Sequence, residues 1–156
     1  MKNRSPRGLM LLPLLFAGCA ATQSIAPRDP LNVEVMSTPE VITAFARLVQ
    51  LAGYGWWSQE RGAFLVRSND NTLHLIVWPP TCAFHTEVWR GVFPAGTIAI
   101  VHTHPARDPE PSFQDEKEAQ RIGLPSFVLT PALVVAVSPR NGTTEILARR
   151  GWLAQK

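Results

Sequence analysis

The residues best suited to chemistry are His102 and His104, within Val101-His102-Thr103-His104-Pro105. On an extended strand, positions two apart project from the same face, so both imidazoles can reach one metal ion. Pro105 ends the ladder and turns the chain away, leaving the pair near a strand's C-terminal end, where loops build sites. A half-buried strand can carry such a pair with no metal, so a further ligand has to be found. Ser112-Phe113-Gln114-Asp115 follows after a Pro-rich loop. Ser-x-x-acid is a helix-capping pattern, and an acid in the first turn suits the helix dipole; read alone, this is a cap. Read with the histidines, Asp115 adds the carboxylate that a catalytic zinc with three protein ligands and an open water position requires.

The elements around these groups can be read from period and punctuation. From Ala20 to about Val35 the chain is irregular and contains Pro27 and Pro30, which suits a tether. Ser37-Thr38-Pro39-Glu40 has capping-box spacing, and Val41, Phe45, Leu48 and Val49 then recur at helical intervals, with Gly53 as the stop. Residues 63–67 and 73–78 are short and β-rich, joined by the turn composition Ser68-Asn69-Asp70-Asn71. Residues 98–104 form another strand, 113–122 a helix closed by Gly123, and 126–130, 133–137 and 145–148 further strands, with Asn141-Gly142 as the last tight turn. This order predicts an α+β domain with a mixed sheet.

A length of 156 residues leaves room for one domain plus an export signal. The formal charge of +3 includes Lys2, Arg4 and Arg7; without them the 15 basic residues become 12, against 12 acidic. A neutral remainder gives no reason to expect nucleic-acid binding. Behind those basic residues, Gly8–Gly18 is an apolar run of eleven, shorter than the roughly 20 residues a spanning helix needs. It reads as a cleaved signal. Phe16-Ala17-Gly18-Cys19 resembles the bacterial lipobox, with Phe16 in place of the usual Leu. Residues 1–18 are then a lipoprotein signal peptide, Cys19 the lipidation site, 19–36 a tether and 37–156 the domain. Ordinary cleavage after Cys19-Ala20-Ala21, leaving no lipid, is the alternative. With Cys19 lipidated, Cys82 has no disulfide partner and reads as a small packed hydrophobe.

His-[Ser/Thr]-His-Pro, then seven residues counted from Pro105 to Pro111, Ser, two residues and Asp resembles the JAMM (MPN-type) zinc metalloprotease motif. That family also carries an upstream strand glutamate in Glu-x-x-Gly-x-Leu. Glu60-Arg61-Gly62-Ala63-Phe64-Leu65 is similar, with Ala63 at the usual glycine. The resemblance spans about residues 37–148. It implies a mixed sheet flanked by helices, with cytidine-deaminase-like layering, and one Zn²⁺ held by His102, His104 and Asp115 with a water. It also implies Glu60 as general base and Ser112 as the group that steadies the oxyanion.

Beside an export signal, the implied reaction is hydrolysis of an amide in a peptide, protein or peptidoglycan-derived substrate of the cell envelope. Ala20 after Cys19 resembles lipoproteins sorted to the outer membrane, facing the periplasm. The alternative is a catalytically silent, lipid-anchored binding or assembly module. Glu87 is a rival base, His74 and His85 read as ordinary strand or loop histidines, and Trp56 and Trp57 either pack or line a peptide groove.

Overall fold

A proline and a capping aspartate open the first element of the computed structural model, which describes residues 28–56, 59–80 and 89–154. Asp29 accepts a hydrogen bond from Leu31 N at 2.9 Å and Pro30 takes an early helical position, launching α1 (Pro30–Ser37). This corrects the expectation of irregular chain to about Val35. Leu31-Asn32-Val33-Glu34-Val35 alternates and shows no helical period. Yet Val35 is fully buried, and the Asn32 amide donates to Glu145 at 2.8 Å. Tertiary partners decide this helix.

The helix α2 (Pro39–Leu51) follows at once and buries Val41, Phe45, Leu48 and Val49, as their spacing predicts. Its N-cap is Thr38, not Ser37, and no side chain caps it. Both hydroxyls donate instead to the Glu34 carbonyl, at 3.0 Å from Ser37 and 2.8 Å from Thr38, because α1 runs straight into the turn and its last carbonyls need donors.

Six strands follow: β1 (Gly62–Arg67), β2 (Leu73–Val77), β3 (Thr97–Thr103), β4 (Ser126–Leu129), β5 (Val134–Val137) and β6 (Thr144–Ala148). They form one sheet in the order β2-β1-β3-β4-β5-β6. Neighbours are antiparallel except β3 and β4, and that parallel pair is joined by α3 (Phe113–Ile122), the crossover such a pairing needs. The mixed sheet with flanking helices is the α+β fold the sequence predicts.

Alternation along the strands then sorts the side chains. Ala63, Leu65, Ala99, Val101, Phe127 and Leu129 share a core with Val35, Phe45 and Leu48 of the first two helices. Phe64, Val66 and Ile100 pack with Trp78 on the opposite face, and Val128 and Val137 pack with Ala119 of α3. His102 has the parity of Ile100, so the sheet delivers it to the α3 side.

Candidate metal centre

Backbone pairing sets the histidines. His102 lies opposite Gly62 of β1 and Val128 of β4, in the middle of the sheet. One step past the strand, His104 N donates to the Leu129 carbonyl at 3.0 Å, so its ring stays on the face of His102. Between them Thr103, almost fully buried, accepts Arg61 N on its hydroxyl at 2.9 Å and donates its own N–H to the Arg61 carbonyl at 2.9 Å. Those two bonds fasten the Glu60-Arg61 stretch alongside.

The third group arrives on the first turn of α3. Ser112 is the N-cap, and the capping box is complete: Asp115 N donates to Ser112 Oγ at 3.3 Å, while Asp115 Oδ2 accepts Ser112 N at 2.6 Å. The same carboxylate faces the imidazoles, with Oδ1 3.1 Å from His102 Nε2 and Oδ2 3.3 Å from His104 Nε2. The two Nε2 atoms are 3.2 Å apart, and one ligand atom from each of the three residues falls within a 4.8 Å span. Two nitrogens bound tetrahedrally to one ion at about 2.0–2.1 Å would lie about 3.3 Å apart, so the spacing fits a single metal ion.

Protons are arranged to suit. His104 Nδ1 lies 3.2 Å from the Asp108 carbonyl, which only accepts, so neutral His104 carries its proton there and turns the Nε2 lone pair to the cluster. His102 Nδ1 has the Ser126 hydroxyl at 3.4 Å. Burial opposes charging His104, but the hydrogen bond and charge of Asp115, the charge of Glu60 and the Asp108 carbonyl outweigh it and raise its pKa above the ordinary value. Burial pushes the Asp115 carboxyl up. The hydrogen bonds from His102 and His104, the His102 charge and the Ser112 hydroxyl overcome this and hold it far below the usual carboxylate range.

The sequence pattern of the prokaryotic homologs of the JAB domain matches residues 55–146, more than half of the chain and all of this cluster. The chain belongs to that family. No match was found among curated proteins or solved structures.

In this JAB domain the cluster lines a cavity of about 570 Å³. Glu60 and Ser112 line it too, so the five catalytic and metal residues read from the sequence all line one cavity. The Ser112 hydroxyl donates to Asp115 Oδ2 at 2.7 Å. Sequence reasoning missed Asp108 and Ser126, which orient the imidazoles, and Trp78, Trp89 and Phe93, which wall the cavity. For Trp78 a signal existed in Gly62, the one residue small enough to lie under an indole.

His74 stands exposed on β2 with the Ser68 hydroxyl at 3.1 Å and does not line the cavity, as expected of an ordinary strand histidine. Trp56 is exposed and does not line the cavity either. Glu87, His85, Cys82, Trp57, Cys19 and the signal segment lie outside the described residues.

Proposed function

We propose that this JAB domain is a zinc-dependent peptidase or isopeptidase that hydrolyses an amide bond in the cell envelope. One observation carries the reading: His102, His104 and Asp115 converge at single-ion spacing on the wall of a cavity that Glu60 also lines. Zinc bound there would lower the pKa of a water towards about 7 and polarise the scissile carbonyl. Glu60 takes the proton as the water oxygen bonds to the carbonyl carbon, then gives it to the amine as the carbon–nitrogen bond breaks. Ser112, which lines the cavity, can turn its hydroxyl from Asp115 to the developing oxyanion. Ala63, at the family's glycine, is buried in the core shared with α2 and does not line the cavity, which favours the active reading over a silent module.

Glu60→Gln tests the reading, because a general base acts on the water and need not hold the metal. With a peptide library as substrate, the variant should keep its zinc by elemental analysis and lose about 10²–10⁴-fold in rate, while Glu87→Gln is nearly silent. Full turnover by Glu60→Gln would overturn the assignment. The envelope location rests on Cys19 as a lipidated anchor with the domain at the outer membrane. Acyl labelling should vanish in Cys19→Ser, and an unmodified N-terminus at Thr22 in the native protein would sink it.

A further inference from the structure

The cavity has room for much more than the attacking water. A water takes about 30 Å³, against about 570 Å³ here. Glu60 and the metal cluster line one part of it, and Trp78, Trp89, Phe93, Ile100 and Ile122 give it an apolar end that starts at Ile100, two positions before His102 on the same face of β3. This wall is built, not incidental. Phe64, fully buried, holds its ring centroid 5.1 Å from both indoles and 5.0 Å from Phe93, bracing all three from one point. Trp78, only 8% exposed, lies against Gly62 so closely that a Cβ there would fall 2.1 Å from the indole. Since Gly62 pairs with His102, the indole begins where the metal cluster ends.

Charge narrows the ligand further. Glu60, Asp108, Asp115 and Glu118 line the cavity, and the one Lys or Arg among its described lining residues is Arg121. Its guanidinium is already held by Glu118, at 2.8 Å from Nε and 2.5 Å from Nη2. Away from the ion, whose charge Asp115 and Glu60 would offset, the described lining offers a ligand carboxylate no cation beyond this paired arginine, while Asp108 repels it.

We infer that the apolar end is a specificity subsite: the substrate carries an uncharged side chain of leucine or aromatic size beside the scissile amide, and acidic peptides are rejected. This rests on the hydrolase reading above. A pocket mostly apolar, with a few convergent polar groups at one end, selects by side-chain burial.

The test is calorimetric titration of the full chain, with zinc loading first established by elemental analysis, against N-acetyl hydroxamates of phenylalanine, glycine and aspartate. The hydroxamate takes the metal and the side chain reports the subsite. Phenylalanine should bind about ten- to a hundredfold tighter than glycine, the gain expected from burying such a side chain, and aspartate more weakly than glycine. Ile122→Trp, which fills the apolar end, should collapse the phenylalanine-to-glycine ratio towards one. Equal affinities for phenylalanine and glycine would overturn the subsite and leave the metal reading standing, and aspartate binding as tightly as phenylalanine would overturn its charge selectivity. If no hydroxamate binds the zinc-loaded chain, the open metal position is wrong and both readings fall together.

Discussion

Asp115 answers two demands with one carboxylate. Its Oδ2 closes the helix cap on Ser112 N at 2.6 Å, and its two oxygens stand 3.1 and 3.3 Å from the imidazoles. The cap therefore aims the carboxylate at the imidazoles: Ser112-x-x-Asp115 is a helix cap, as its spacing predicts, and the capping carboxylate stands where it could also hold a metal ion. Substitution can separate them. Asparagine keeps an oxygen for Ser112 N but loses the charge that makes a good ligand, whereas alanine loses both. Asp115→Asn and Asp115→Ala should each lose bound zinc by elemental analysis. In urea titrations run in chelator, alanine should cost about 1 kcal/mol more than asparagine, the worth of a cap. Identical chelated stabilities would mean that the capping contact contributes nothing. His102, His104 and Asp115 were legible in the sequence because local geometry fixes each of them, by strand period or by cap spacing. Asp108 and Ser126 were not, since only the turn after β3 and the register with β4 bring them to the imidazoles.

At the scale of elements, the same division holds. The helix α2 and the strands announce themselves by period, whereas α1 hides behind an alternating stretch because its support is distant: Val35 in the core and Glu145 on β6. The turn after His104 has a distant support as well. Gly53, Tyr54 and Gly55 all take positive φ, at 61°, 55° and 73°, and Gly55 O accepts Ala106 N at 3.1 Å. A Cβ on Gly55 would fall 2.6 Å from that backbone nitrogen, whereas one on Gly123, with φ of 76°, would meet nothing within 4 Å. Both alanine substitutions incur the left-handed strain, but only Gly55→Ala also pushes on the chain beside His104. Gly123→Ala should cost about 1 kcal/mol and leave zinc affinity alone. Gly55→Ala should cost at least about 2 kcal/mol and weaken zinc binding. Urea midpoints and zinc competition with a chromophoric chelator measure both; equal costs with unchanged affinity would show that the clasp does not position the site.

For the whole molecule, the cluster links folding to protons and, on the function proposed above, to metal. Without metal, His104 has its pKa raised above 6.5, Asp115's contacts prevailing over burial. A raised folded-state pKa adds stability that is complete below the unfolded value and is lost as pH climbs through the folded one. Asp115, lowered from 3.8, adds stability that is complete above that value and is lost as pH falls towards its folded value. The chelated protein therefore draws most from the cluster between the two ordinary values, 3.8 and 6.5, and less above them. Zinc bound there, as proposed above, would reverse the upper half of this dependence. It would need Nε2 of both histidines free of protons, so binding would release protons and tighten as pH rises, and an ion held only by the native state adds to folding stability. The rise in Tm on adding zinc to the chelated protein should accordingly be small near pH 5 and large near pH 8. Calorimetric scans at the two values, each with and without chelator, measure it directly. A zinc increment that is equal at both, or larger in acid, would mean that the stabilising metal sits somewhere other than on His102, His104 and Asp115.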